Sequence, residues 1–438
     1  MKNKKAFWIA GIVSGIVICW VLFFYVLFPK ERKITITFGM FAGNQWDVPN
    51  DNCYKIIDEA IAEFEAEYPN VKIKYVSGIL KEDYSEWISE HALKGELPDV
   101  FMVLPADFNT FSSVGLLKNL DSFISSDESF DSSAYYRGCY EAGELESKQY
   151  ALPYESVPTL MFVNQTLLKK EEIPFSDEHW TWDDFYEICT KLTKDTDGDG
   201  RIDQFGVYNY SWQHSVYSNG ADLFSDDGKE CKLMSNPIQN AILFSRKIKQ
   251  LSGYQSPGSD DFDTGRIAFR PMKFSEFRTY KPYPYKINKY FNFQWDCTRL
   301  PGGPDGGNMT YVDNLLIGIS NKTQHSELAW KFLKMLTYHE ETQKKLLQYS
   351  QGVSPLKKVT NSVDTEKALE ESMGEDSGVR ISLLNDVLEH TAKTEKFRNY
   401  DTVINYLDGE LLKLFAEESD FDEGMQKIKK NIDKMLNE

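Results

Sequence analysis

The chain has 438 residues, 41% hydrophobic and 26% charged, with 49 Lys and Arg against 67 Asp and Glu for a net charge of −18. That length and apolar content suit two or three domains, or two large lobes, and exclude wholesale disorder. The acidic balance excludes nucleic acid as a partner, because phosphates demand concentrated positive charge, and disfavours adhesion of the folded part to anionic lipid.

Met1–Lys5 carries three lysines, and Ala6–Phe28 then runs for 23 residues without a charge. At about 1.5 Å per residue this reaches ~34 Å, enough to cross ~30 Å of hydrocarbon. A secretory leader has a shorter apolar core ending in small residues. This run instead ends in Phe23-Phe24-Tyr25-Val26-Leu27-Phe28-Pro29. Residues 1–33 therefore read as a short cytoplasmic head, a single-pass membrane anchor and a juxtamembrane segment, with the bulk of the chain extracellular. The alternative is a signal that is cleaved or lipidated at Cys19, although Ile18 stands where a small residue is wanted. The other cysteines, at 53, 139, 189, 231 and 297, are widely spaced and odd in number. They suggest neither a disulfide framework nor a zinc site.

From Lys33 the pattern alternates between strand and helix. Ile34, Ile36 and Phe38 recur with the period of a strand, and Tyr54, Ile57, Ile61, Phe64 and Tyr68 with that of a helix that Pro69 stops. Val71, Ile73 and Tyr75 form the next strand, Tyr84–Leu93 an amphipathic helix, and Asp99–Leu104 a short apolar run suited to a buried strand. Such alternation implies an α/β fold with parallel strands and crossover helices. Ligands in such sheets sit beyond the carboxyl ends of the strands, here Met40–Asp47 and Leu104–Asn109. Asn44 and Trp46 thus become candidates at the first end, and Asp107 at the second. Trp46 either packs on a ligand or lids a neighbouring helix; Asp107 either binds a hydroxyl or caps the next helix. Further on, Thr181–Thr193, Pro237–Leu251, Ser326–Leu336 and most of Val403–Leu436 read as helix, and Gly206–Tyr210 and Leu315–Ser320 as strands.

The sharpest local motif is Asp195-Thr196-Asp197-Gly198-Asp199-Gly200-Arg201-Ile202-Asp203. Carboxylates at alternate positions and a glycine at the sharp turn match a calcium-binding loop. Gly206 stands where an EF-hand has its bidentate glutamate, so the loop is incomplete as that motif. The alternative is a metal-free Asp/Gly turn.

Five stretches, in order, resemble the family 1 extracellular solute-binding proteins of bacterial ABC importers, the maltose-binding-like group. They are Lys33–Asp47 (KITITFGMFAGNQWD), Leu97–Asp121, Tyr150–Lys170 (YALPYESVPTLMFVNQTLLKK), Thr181–Gly206 and Leu300–Leu336 with its LPGGPDGG start. FDTGRIAF at Phe262–Phe269 and GVSPLK at Gly352–Lys357 match more weakly. The resemblance implies a type II-like periplasmic-binding-protein fold. In it, two α/β lobes close on a sugar or oligosaccharide, which is delivered to the transmembrane subunits of an ABC permease. It implies crossings near Tyr154–Val157, Leu300 and Ser350, hence lobes of residues 34–155 plus 300–349 and 156–299 plus 350–438. It points to Glu155, Trp212, Tyr311 and Asn314 as cleft residues, with Arg270 and Phe274 behind them. Plainer roles stand beside these, a hinge salt bridge for Glu155 and core packing for Trp212. It also implies a structural Ca2+ held by Asp195, Asp197, Asp199, Arg201 and Asp203 with help from Gln204.

Enzyme signatures are poor. No phosphate-cradling glycine loop follows a strand and no Ser/His/Asp constellation stands out, while among 67 acidic residues a glycosidase-like pair arises by chance. The expectation is a carbohydrate-binding protein and not an enzyme. The other readings are a membrane-anchored ligand-sensing subunit and, further off, a surface glycoside hydrolase.

Overall fold

In a computed structural model, residues 33–43, 52–176, 180–225, 227–253, 255–280, 293–373, 379–393, 396–416 and 420–437 are described. The expected N-terminal span lies outside them, as do Asn44 and Trp46. Among the described residues no helix is long and apolar enough to cross a membrane.

The opening alternation forms β1 (Ile34–Gly39), with Ile36 and Phe38 buried and Thr35 and Thr37 exposed. Helix α1 (Lys55–Glu67) buries Ile56, Ile57, Ala60 and Phe64, and ends just before Pro69, which cannot continue it. The chain returns through β2 (Val71–Tyr75), α2 (Lys81–Lys94) and β3 (Val100–Val103). Gly95 ends α2 at φ 75°, a left-handed stop that favours glycine. β1 pairs in parallel with β2 and β3. β3 is buried throughout and lies inside the sheet, parallel to β1 on one side and antiparallel to the later strand at Val312–Ile319 on the other. Next come α3 (Pro105–Ser113) and a small hairpin, β4 (Glu144–Leu145) and β5 (Lys148–Gln149).

β6 (Ala151–Asn164) is 14 residues long and buried along its whole length. Its first half pairs antiparallel with β10 (Val312–Ile319), its second with β8 (Ile267–Lys273) and β9 (Trp295–Thr298). Pro153 and Pro158 lie inside it, and the register with β10 shifts between Leu315 and Leu316, opposite Glu155 and Pro153. A proline gives no N–H to a ladder, so it sits where the ladder is irregular. The sheet order is β2-β1-β3-β10-β6-β8-β7, β7 being Phe205–Val207, shorter than the expected strand.

The remaining elements used below are α4 (Trp182–Leu192), α5 (Trp212–Ser218), α6 (Asn236–Gln250) and α7 (Phe274–Tyr280). After them come α8 (Ser326–Thr337), α9 (Glu340–Tyr349), α10 (Ile381–Glu389), α11 (Tyr400–Ala416) and α12 (Phe421–Leu436). Apolar residues gather in two buried clusters, giving a mixed α/β fold of two lobes. One centres on Phe38, Phe101, Ile317 and Phe332, the other on Phe185, Ile242, Phe269 and Leu407. Val353, Leu356, Leu384 and Val387 bury in the first cluster, whereas Val403 and Leu407 bury in the second. The last passage between lobes thus follows Glu389, not Ser350 as the resemblance implied, because α10 packs its apolar face back on the first lobe. There the Ala392 amide donates to the Thr310 carbonyl at 2.8 Å, tying this passage to the one that leads into β10.

Candidate functional site

The carboxyl end of β1 continues into buried Met40 and Phe41. With Cys53, Met102, Glu155 and Tyr349 they surround a recess of about 20 Å³. That is room for about one water molecule, too little for a solute. At the end of β3, Pro105 opens α3 at a position where its missing N–H costs nothing. Asp107 follows, its carboxylate accepting from Ser85 Oγ at 2.6 Å. Burial raises the Asp107 pKa, the Ser85 bond opposes this, and the charge of Asp401 raises it further. Next to Asp107, the Phe108 ring lies 5.7 Å from Nζ of Lys396, on the passage into the second lobe, so this end of α3 lies beside that passage.

On the second lobe, Tyr217 of α5 stacks on Tyr311 with ring centres 5.3 Å apart and planes at 17°. Asp313 raises the Tyr311 hydroxyl pKa most, followed by burial, Tyr217 and Tyr400. Asp313 itself pairs with Lys273 Nζ at 2.6 Å. Partly buried rings beside a carboxylate and an ammonium form a surface that suits the C–H faces and hydroxyls of a polyol. The local sequence explains the arrangement. Ser211 and His214 cap α5 reciprocally, Ser211 Oγ accepting from the His214 amide and His214 Nδ1 from the Ser211 amide. Burial depresses His214 to about 4, keeping the ring neutral and its nitrogen free to accept. The glycines of LPGGPDGG then let the chain lie against the far end of α5. A Cβ at Gly306 would stand 2.1 Å from the Asn219 carbonyl carbon. This close approach leads the chain directly to Tyr311, beside Tyr217.

The other expected site residues are seated differently. Glu155 is 2% exposed, and its Oε1 accepts from Ser350 Oγ at 2.6 Å and the Gly352 amide at 2.5 Å, which places it in the hinge. Trp212 is 6% exposed in the second cluster, its Nε1 donating to Asp408 Oδ1 at 2.5 Å. Asn314 accepts from Ser156 Oγ at 2.6 Å and donates to the Val312 carbonyl, pinning β10 to β6. The Arg270 guanidinium lies 5.2 Å from the Tyr208 ring centre and 4.9 Å from that of Phe262. Phe274 is buried. Of the expected cleft residues that are described, Asp107 and Tyr311 are the partly exposed ones, the others being buried. Tyr217, against Tyr311, and the Asp313–Lys273 pair did not stand out in the sequence. Tyr217 sits on the helix that Trp212 had marked, but on its partly exposed side.

In the acidic loop, Asp195, Asp197 and Asp199 each bring one oxygen within 4.8 Å of the others. Gly198 and Gly200 take φ of 81° and 90°, conformations that favour glycine. Backbone amides of Gly200 and Gly198 hold the Asp195 carboxyl below its ordinary range. The Arg201 amide donates to Asp199 at 2.8 Å. Asp203 is turned toward the Thr196 amide and hydroxyl, and the Gln204 side-chain amide donates to the Leu192 carbonyl at 3.0 Å. The donor set of three carboxylates on a curved backbone fits a hard cation. Asp203 and Gln204 as seated are engaged elsewhere.

Compared with known proteins, residues 50–343 match the family described as bacterial extracellular solute-binding protein. The galactooligosaccharide-binding protein of Bacillus subtilis (strain 168) is 26% identical over 321 residues, covering 70% of this chain and 71% of its own. An uncharacterized lipoprotein in the oleD 5' region of Streptomyces antibioticus is 24% identical over 333 residues, with coverage of 70% and 68%. The solved sugar-binding protein MalE of Xanthomonas citri superposes with a TM-score of 0.74 at 17% identity, covering 92% of this chain and 97% of that one. At that identity the superposition establishes a shared fold.

Proposed function

The chain belongs to the bacterial extracellular solute-binding proteins, which bind and do not catalyse, and from that premise we propose that it captures a carbohydrate between its lobes and delivers it to the transmembrane subunits of an ABC importer. The observation that carries this reading is the Tyr217–Tyr311 stack of the second lobe with the Asp313–Lys273 ion pair beside it, where β10 enters the first lobe. The sugar-binding names of the Bacillus relative and the Xanthomonas structure support it. We place the first lobe at residues 34–157 with 312–389, and the second at 158–311 with 390–437. A ligand touching both lobes lowers the free energy of the closed form alone and so shifts the population toward it.

A thermal-shift screen against sugars and oligosaccharides should find a ligand that raises the melting temperature, since binding only the folded state stabilises it. With that ligand, Tyr217→Ala and Tyr311→Ala should each cost roughly 1–3 kcal/mol of affinity, as loss of a large packed side chain does. At 1.4 kcal/mol per decade this is about 5- to 150-fold in Kd by calorimetry. Unchanged affinity in both variants would move the site elsewhere.

We also place the protein at the outer face of the membrane, held by its N-terminal segment. The uncharged run Ala6–Phe28 and the lipoprotein relative support an anchor there. Peptide mapping of membrane-extracted protein should recover sequence before Cys19. Chains beginning only at Cys19 would instead indicate the lipidated form.

For the acidic loop we propose a structural Ca2+ held by Asp195, Asp197 and Asp199. When bound, the ion supplies the positive charge that offsets the repulsion of three gathered carboxylates. At free calcium about 100-fold above Kd this stabilises the fold by about 2.7 kcal/mol. Chelation should therefore lower the melting temperature, calcium should restore it, and the double variant Asp197→Ala/Asp199→Ala should lose the response. Identical melting of the unmutated protein in chelator and calcium would leave the loop as a turn only.

A further inference from the structure

Close to where β6 passes from one lobe to the other, buried charged groups converge on a single turn. Arg278 of α7 is 7% exposed and reaches the C-terminus of α9. Its Nη1 donates to the Ser350 carbonyl and its Nη2 to that of Leu347, each at 2.5 Å. Carbonyls at a helix C-terminus lack intrahelical donors and form the negative end of the helix dipole. A guanidinium there answers both the missing hydrogen bonds and the partial charge. Glu155 grips the same turn from β6 through Ser350 Oγ and the Gly352 amide. Gly352 must be glycine, because a Cβ would lie 2.6 Å from Glu155 Cγ and 2.8 Å from the Ser156 carbonyl oxygen. The next residue, Val353, exchanges backbone hydrogen bonds with Ser156 at 2.9 and 3.0 Å. Burial lowers the Arg278 pKa to about 10, and Glu155 opposes that shift.

We propose that Arg278 is a positioning residue for ligand capture: by fastening the end of α9 to α7, it makes the lobes rotate about β6 without loosening the turn at 350–352. Its bearing on capture rests on the two-lobed binding reading, but the arrangement it makes is testable without a ligand. α7 follows directly on β8, which pairs with the second-lobe half of β6, while its Phe274 and Phe277 bury in the same cluster as Leu346 and Leu347 of α9, so the two helices meet at the boundary between the lobes. Arg278 is therefore a side-chain tie at the boundary between lobes that the backbone already joins.

The test uses full-length protein without sugar, in a Cys53→Ser background, with spin labels at Leu93→Cys and Leu412→Cys. Those positions are 91% and 58% exposed, one in each lobe. The parent should give a narrow interlobe distance distribution. Arg278→Ala should broaden it, and Arg278→Lys, which keeps the charge and can donate to both carbonyls, should recover most of the width. Hydrogen exchange at the Val353 and Ser156 amides should quicken roughly tenfold in Arg278→Ala, as expected when charge-assisted bonds guarding a local opening are lost. If the alanine variant does not fold, Arg278→Gln decides, since it removes the charge and keeps a donor. An unchanged distribution with only a lowered melting temperature would overturn the proposal, by showing that Arg278 merely packs. A protein that binds no sugar would still show the broadening, so failure of the carbohydrate reading is a separate result.

Discussion

Trp212→Ala is expected to destabilise the protein by about 3–5 kcal/mol, the range for truncating a buried aromatic residue. The ring lies in the second cluster at the start of α5, and the indole N–H serves the Asp408 carboxylate on α11. Truncation therefore opens a cavity and removes one of the donors to that carboxylate, leaving Gln213 at 3.0 Å. At about 2–4 °C per kcal/mol for a unit of 150–250 residues, the melting temperature should fall by on the order of ten degrees. Trp212→Phe should cost less, because it fills most of the volume and loses only the hydrogen bond. Calorimetric unfolding without ligand measures this. A melting temperature near the parent's, together with lost sugar affinity, would return Trp212 to the cleft wall.

Glu155→Ala should be comparably severe for a different reason. It leaves the buried Ser350 hydroxyl and Gly352 amide without this acceptor and strips the counter-charge from Arg278. Removing one partner of a buried charged network costs about 3–5 kcal/mol, because the remaining charge stays out of water. Glu155→Gln keeps an acceptor oxygen and should lose less. Urea unfolding of the two variants separates the contributions of charge and hydrogen bond. If Glu155→Ala retained the parent midpoint but lost the sugar, the carboxylate would be serving the ligand and not the hinge.

Much of the first lobe could be read directly from the sequence, since strands with one buried face and amphipathic helices write their period into the chain. Ile36 and Phe38 against Thr35 and Thr37 is one such record. β6 was not legible as a strand. Burial on both faces removes its alternation, and Pro153 and Pro158 argue locally against a ladder that tertiary pairing nonetheless builds. The site divides in the same way. Asp107 became a candidate through the rule that ligands sit at strand ends, whereas the Tyr217–Tyr311 contact joins positions far apart in sequence and depends on how a glycine loop lies on a helix end. Glu155 and Trp212 show that residue chemistry alone does not separate a ligand contact from a packed one. Either role uses the same carboxylate or indole, and only the neighbours decide.

A strand that serves both halves at once also governs how the protein can assemble. Leu315 on β10 meets Glu155 on β6 across about 160 residues of sequence, so much of the chain must be made before the central ladder can close. Contacts of such long range carry a large loop-closure entropy and slow the search for the native state. Neither half can complete its sheet without this strand. Cutting the chain between the lobes should therefore yield two incomplete and sticky fragments, not two small domains. Export in an unfolded state, with folding only after the last passage has emerged, fits a molecule whose centre is among the last parts to form.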